Sequence, residues 1–421
     1  MEVLQDTYKD TKIGRIPKDW RVLKFRDIFN FIITSSHSKN EMVYSETDTE
    51  IYNVHYGAIH TTYKEQILDF EKYDIPRITD DSKLPREDQF LIDGDLVIVD
   101  ASEDWGGMGE CVELKNLEGR KVIGGLHTYA VRDKINAFAK GFTGYIFQNT
   151  AVRNKLASYA NVSKVYGITK GNISNVPIVI PTLPEQQKIA DILSTVDEQI
   201  STTDKIIEKS KELKKGLMQK LFSEGIGHTE FKDTKIGRIP KDWEVKSLEE
   251  VGLIKVGRDL NKEIYNPTLS KEHKVRVYSN AITDRGLYGF YSRSEYPKNS
   301  ITITGRGDIG YAFARNEEFG AIGRLIVIHP NSNVDYIYLT NYINHSVNFH
   351  IETSGIPQLT GVQASKYKVA IPPLPEQQKI ADILSEADAK IEKEQTQKSQ
   401  LETLKKGLMQ QLLTGKKRVK V

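Results

Sequence analysis

Residues 183–194 read LPEQQKIADILS, and residues 374–385 read the same twelve letters again, 191 positions further on. KKGLMQ at 214–219 returns at 405–410 with the same step of 191. A second repeat precedes each of these. KDTKIGRIPKDW occupies 9–20 and again 232–243, a step of 223. Repeats of this length do not arise by chance, so the chain is a tandem duplication. The steps of 223 and 191 differ by 32 residues, and all of that difference falls before the LPEQQ element. The constant step of 191 reaches back as far as the pairs Ile168/Leu359 and Thr169/Thr360. Each half is thus a body of variable length followed by a segment of fixed length. Fixed length suits a ruler, and a variable body suits a recognition surface.

The fixed segment reads as a long helix. Pro184 and Pro375 stand at its start, where a missing N–H costs nothing, and Glu185 and Glu376 favour the first turn. Apolar residues then recur by threes and fours as Ile189, Leu193, Val196, Ile200 and Ile207, and in the copy as Ile380, Leu384, Ala387 and Ile391. That spacing predicts a coiled-coil seam with polar gaps near Thr203 and Glu394. Residues 184–221 at ~1.5 Å rise would span roughly 57 Å. Neither helix can hide its stripe alone, so the two are expected to pair antiparallel, relating the halves by a pseudo-twofold axis.

The bodies read as α+β. Short β-rich runs between glycines lie at 94–100, 109–113 and 126–131 in the first body, and at 299–305, 310–315 and 325–329 in the second. Helical stretches follow at 143–159 and 336–349. The bodies are uneven, 163 residues from Trp20 to Leu183 against 131 from Trp243 to Leu374.

Composition narrows the class. With 421 residues, 38% hydrophobic and 28% charged, the chain has enough apolar material to fold as several units. No apolar run reaches the ~18 residues of a membrane span. The acidic, polar opening MEVLQD is not the basic-then-apolar pattern of a secretory signal. A lone cysteine, Cys111, excludes a disulfide framework and fits a reducing cytoplasm. Net charge is only +2, so any polyanion site must be a local patch.

Three motifs invite chemistry. Gly305-Arg306-Gly307-Asp308-Ile309-Gly310 matches a dinucleotide fingerprint, yet the following Tyr-Ala-Phe-Ala-Arg alternates as a strand does, so a tight β-turn is expected instead. Asp100, Glu113 and Lys115 loosely match the D…ExK pattern of metal-dependent nucleases, and a nuclease is kept as the alternative function. A coiled-coil scaffold that binds no nucleic acid is a third reading. The histidines lack metal-ligand spacing, and no catalytic constellation stands out, so catalytic and metal sites are expected to be absent. Base-readable side chains are easier to find, since Arg and Lys suit guanine edges and Asn and Gln suit adenine. The candidates are Asn53, His55, His60, Trp105, Lys164 and Tyr166 in the first body, and Asn280, Arg285, Tyr288, Arg306, Gln358 and Thr360 in the second. The tail at 416–420 (KKRVK) offers further phosphate contacts.

Two variable bodies, each preceded by IPKDW and followed by LPEQQKIADILS and KKGLMQ, make this chain resemble the specificity subunits of type I restriction–modification enzymes along essentially its whole length. The resemblance implies an α+β fold of two target recognition domains joined by two long helices in an antiparallel coiled coil. It divides the chain into a first recognition domain at 1–183, a first spacer helix at 184–222, a second domain at 223–374, and a second spacer helix with basic tail at 375–421. It implies that each domain reads half of a bipartite site on double-stranded DNA, and that the helices set the gap and dock two methyltransferase subunits. Restriction and translocase subunits would join through the complex. No cofactor is then expected in this chain, with S-adenosylmethionine, ATP and Mg bound by the partners. A bacterial or archaeal cytoplasm is the expected location. An NPPF- or DPPY-type motif of adenine methyltransferases is not found; Ile371-Pro372-Pro373-Leu374 lacks the leading Asn or Asp.

Overall fold

The computed structural model describes residues 7–44, 49–80, 84–102, 107, 109–159, 161–162, 166–350 and 357–421. The chain divides into two compact units, one made of Met1–Asp204 with Thr396–Val421 and the other of Lys205–Gln395. The two long helices, Leu183–Ser223 and Leu374–Leu412, each begin in one unit and end in the other. Each unit therefore holds one body, the start of its own helix and the end of the other.

The two bodies follow one plan. A hairpin comes first, Tyr8–Thr11 with Gly14–Pro17, and again Phe231–Thr234 with Gly237–Pro240. The strand after each IPKDW then pairs antiparallel with the strand that leads into the long helix: Arg21–Lys24 with Pro177–Ile180, and Glu244–Ser247 with Lys368–Ile371. A larger sheet follows. In the first unit its strand order is Phe29–Ile32, Thr128–Asp133, Leu96–Val99, Cys111–Lys115, Ile67–Asp69, the last pair parallel. In the second it is Gly252–Val256, Ile326–Pro330, Ser300–Ile303, Ala312–Arg315. The parallel edge strand Ile67–Asp69 is part of what makes the first body longer. A smaller four-stranded sheet in each unit carries one parallel pair, Ile51–Val54 with Lys121–Gly124 and Val275–Tyr278 with Gly320–Ala321. The expected α+β class is the observed one, and 305–310 forms the tip of a β-hairpin.

The repeated motifs have a common physical reason. Trp20 and Trp243 are fully buried, and each indole N–H donates to the glutamate of the following LPEQQ, Glu185 at 2.8 Å and Glu376 at 3.0 Å. A buried indole needs such an acceptor. The next residue fastens helix to body. The Gln186 amide accepts from Ala139 N and donates to Ala137 O and Pro181 O, and Gln377 repeats this with Asp335 N, Asn333 O and Pro372 O. Both glutamines are fully buried, so each must spend its hydrogen bonds internally. Glu185 also pairs with Arg418, which reaches Asp19 as well, so this tail residue is an internal tie and not the phosphate contact read from the basic tail.

The seam needs correction at its ends. Ile189 and Leu193 belong to the first unit's core cluster, and Ile380 and Leu384 to the second's. The opening turns of each helix are thus body core, because a short sheet needs a cover on its apolar face. Leu412 closes the first cluster and Leu221 the second, so the far ends of the helices are core as well. Val196 is buried, while Ile200, Ala387 and Ile391 are half-buried. In the first unit the helix segments run antiparallel, since Asp197 meets Lys405 at 2.5 Å and Asp204, seven residues on, meets Lys398, seven residues back, at 2.6 Å. In the second unit Lys214 meets Asp388 at 2.5 Å. Asp388 and Lys405 stand 191 residues after Asp197 and Lys214, so one duplicated ion pair appears in both units with its partners exchanged.

The stretch read as one helix over 143–159 is broken. A 3-10 turn at Thr143–Gln148 gives way to a helix at Thr150–Ser158 because Asn149 leaves the helical conformation, caps Ala151 N and Val152 N, and donates to Leu413 O. Among the described residues no helix is long and apolar enough to cross a membrane.

Candidate nucleic-acid interface

In the second unit, five loop segments at 257–258, 279–286, 304–310, 322–324 and 357–361 are tied together by hydrogen bonds, two of them through one side chain. The Asn280 amide accepts from Gly305 N at 2.7 Å and donates to Gly323 O at 2.7 Å. Gly323 N donates to Arg258 O, and Leu359 N donates to Gly305 O. Asn280, expected as an adenine reader, is the hub of the loop cluster with both ends of its amide engaged. Asn280→Ala is expected to cost about 1–2 kcal/mol, since it removes two hydrogen bonds, one of them part-buried. Thermal melting should show that loss, and an unchanged midpoint would remove the hub role.

Four exposed arginines stand on or beside this cluster: Arg258, Arg285, Arg306 and Arg324. Among the described residues none has a carboxylate within ion-pair distance. Arg285 follows Asp284 in the left-handed region, with φ of 51° and 47°, and Gly286 continues at 84°. Left-handed backbone costs roughly 1–2 kcal/mol at each non-glycine residue, and a side chain at Gly286 would collide with Ser279 O at 2.6 Å. Such strain persists only where neighbours hold it. Here Arg315 is the holder. It is buried, stacks on the Tyr278 ring at 3.5 Å, takes Thr302 Oγ1 as acceptor, and donates to Arg285 O at 2.7 Å. Burial lowers its pKa to about 10, still far above neutrality, so the cation is kept. Arg285 itself donates to Ala314 O at 2.8 Å. Tyr288 is half exposed beside Tyr265, with ring centroids 5.8 Å apart. Arg306 donates to Gln358 at 3.2 Å, and Thr360 caps the helix Gly361–Ser365, as Thr169 caps Lys170–Ser174. Gln358 and Thr360 also line a groove of about 760 Å³ with Lys255, Arg324, Leu253 and Val256.

The first unit carries different chemistry at its strand ends. Tyr56 is exposed and lies edge-on to His127 at 5.3 Å, with His55 and His60 at 6.4 and 6.3 Å. His60 Nδ1 meets Glu110 at 2.6 Å, and His127 Nδ1 lies 3.5 Å from Asp100. Burial, then Lys39, pushes the His55 pKa down, and burial raises that of Asp100. Asn53, read as a surface contact, is fully buried and donates to Ser35 Oγ at 3.0 Å. Asn53 Oδ1 and His60 Nε2 are buried without a hydrogen-bond partner among the described residues. Tyr166 lies in the two-residue strand Tyr166–Gly167, paired with Ala101–Ser102. Trp105 and Lys164 fall outside the described residues.

Sequence reasoning placed Tyr56 among the base-readable loop residues of the first body but missed Arg258, Arg324 and His127 as members of these clusters. The signal for the arginines was the Gly-Arg dipeptide at 257–258, 305–306 and 323–324. It is weak, because 14–15, 119–120 and 237–238 carry the same dipeptide elsewhere. At Gly305 a side chain would meet Leu359 O at 2.6 Å, so glycine admits the crossing backbone and the next residue projects outward.

The nuclease constellation does not assemble. Glu113 is 3% exposed and spends its carboxylate on Gly141 N and Gly144 N. Its strand register sets it opposite Leu96, four residues before Asp100, or about 13 Å along the strand. Lys115 faces Asp69 at 4.0 Å. Among the described residues no group of three or more His, Cys, Asp or Glu is placed to hold a metal ion.

The family described as "Type I restriction modification DNA specificity domain" matches residues 17–212 and 240–403. The chain belongs to that family. It is 29% identical over 439 residues to the putative type I restriction enzyme MjaX specificity subunit of Methanocaldococcus jannaschii, covering 99% of this chain and 98% of the relative. The type I restriction enzyme MjaVIII specificity subunit of the same organism is 26% identical, with 99% and 97% covered. In fold the chain is similar to the crystal structure of a type I restriction–modification S subunit from M. genitalium, with a TM-score of 0.60, 16% identity, and 93% and 96% of the two chains covered. A chain from a study of assembly and conformational transition of the type I R-M system matches with a TM-score of 0.55, 14% identity, and coverage of 95% and 99%.

Proposed function

We propose that this chain is the DNA-reading subunit of a type I restriction–modification complex, each unit reading one half of a bipartite site on double-stranded DNA. The observation that carries this reading is the strained, internally clamped loop cluster of the second unit with its four exposed arginines, none ion-paired among the described residues, on a body that the chain contains twice. Arginine forks and histidine–tyrosine clusters supply different contacts to base edges and phosphates, so two unlike half-sites follow. The long helices set the gap between half-sites; 41 residues correspond to about 60 Å, more than one helical turn of DNA. Two methyltransferase subunits dock on the helices, and restriction and translocase subunits join through them. Adenine methylation with S-adenosylmethionine and ATP- and Mg-dependent cleavage belong to those partners, and the chain itself reads without catalysing. The complex works in the cytoplasm.

The test is to co-express the chain with the methyltransferase subunit of its own system and map methylated adenines across the host genome. A split motif with a constant gap is expected. Methylation unchanged on deleting this chain would sink the reading. Inserting four residues, about one helical turn, into both long helices is expected to lengthen the tolerated gap while leaving both half-sites as they were. The same methylation map checks it, and an unchanged gap would remove the ruler.

A further inference from the structure

The four exposed arginines of this loop cluster are not equivalent. Arg285 spends part of its guanidinium on Ala314 O. Arg258 and Arg324 are exposed, and no side-chain hydrogen bond among the described residues orients either, which suits contacts to phosphates. Arg306 differs from all three. Its backbone sits in a closed turn: Thr304 N and Gly310 N donate to Tyr311 O and Thr304 O, and the Thr304 hydroxyl donates to Asp308 O and accepts from Tyr311 N. Gly305 N is held by Asn280 and Gly305 O by Leu359 N. Its exposed side chain is oriented by another side chain, Nη2 donating to Gln358 Oε1 at 3.2 Å. The backbone beside Gln358 is held where Leu359 N donates to Gly305 O.

We propose that Arg306 reads a guanine in the major groove of one half-site, with Gln358 as its positioning residue. This rests on the DNA-reading function above. Guanine presents O6 and N7 as two acceptors side by side, and a guanidinium fork matches them with two parallel N–H donors. Such a match needs the plane of the fork to be set beforehand. Gln358 does this by taking one N–H of the exposed guanidinium, which leaves the other N–H donors for a base. A phosphate contact has no such requirement.

The test measures methylation by the chain complexed with its own methyltransferase subunit, on duplexes carrying the parent motif with each base pair varied. Arg306→Lys keeps the charge and loses the fork. It is expected to reduce discrimination at one G·C pair by roughly 5- to 150-fold, with the other half-site still read normally as the control for an intact complex. Gln358→Ala is expected to relax the same pair and no other, and Gln358→Glu, which still accepts from the guanidinium, to restore it. A uniform loss of affinity with unchanged base preference makes Arg306 a phosphate contact and overturns the proposal. So does relaxation at a different pair with Gln358→Ala. Loss of methylation in every variant places Arg306 in the loop frame and overturns it too. Absence of any split motif for the parent chain is a separate result, and it defeats the DNA-reading function itself.

Discussion

Asp197→Ala is expected to destabilise the first unit by about 3–5 kcal/mol, the cost of breaking a buried ion pair from one side. The same change at its duplicate, Asp388→Ala, is expected to cost about 0–1 kcal/mol, as for a surface pair. The two aspartates hold the same place in the repeat and meet repeat-equivalent lysines, Lys405 and Lys214, each at 2.5 Å, so sequence and distance alone predict equal effects. Burial separates them. Asp197 and Lys405 have side chains 5% and 12% exposed, Tyr145 donates to the carboxylate at 2.7 Å, and Lys405 also reaches Gln66. Removing Asp197 strands an ammonium and a buried phenol together. Asp388 is 53% exposed, and its lysine turns to water when the partner goes. Hydrogen exchange resolved by peptide is the measurement, since it assigns lost protection to a unit. Equal effects in the two variants would show that burial does not govern these pairs.

Glu113 is expected to make the first unit less stable as pH rises. Burial pushes its pKa up from 4.5 to about 7, against the hydrogen bonds from Gly141 N and Gly144 N that favour the anion. The folded state therefore holds a proton that the unfolded chain has released. That contribution is full below pH 4.5, declines as pH rises toward 7, and is gone above it. The size is about 3 kcal/mol across the window. Melting temperature measured from pH 4.5 to 8 should fall more steeply for the parent than for Glu113→Gln, which has no proton to lose. Parallel curves would show that Glu113 titrates as an ordinary carboxylate. The same burial explains why the nuclease reading fails, because a carboxylate fastened to two backbone N–H groups inside a body is out of reach of a metal held at a DNA-facing surface.

Which parts of the candidate site could be read beforehand follows from how far apart its members lie in sequence. Thr169 and Thr360 were visible as a matched pair because the constant step of 191 reaches them, and the caps they form act on residues only three positions away. Arg285 and Arg306 were visible as exposed cations beside glycines. Asn53 and Asn280 were visible as amides and misread as readers. Whether an asparagine faces a base or a backbone depends on what the chain brings beside it, and Gly305 and Gly323 lie 25 and 43 residues from Asn280. The apolar stripe of the long helices posed the same difficulty. Ile189 and Val196 repeat at helical spacing, and only the position of the sheet makes the first a core residue of the body.

From the sequence by itself came the duplication, the α+β bodies, the helices of fixed length and the family. All of these are carried by repeats and periodicities, which local chain geometry obeys wherever the segment ends up. The tertiary structure alone decided that Trp20 and Trp243 lock onto Glu185 and Glu376, that each unit shares both helices, and that Asp197 is buried while Asp388 is not. It also decided that Arg306 stands clamped and oriented among four arginines. Those facts depend on which distant residues meet and how much water is left between them, and neither spacing nor composition encodes that.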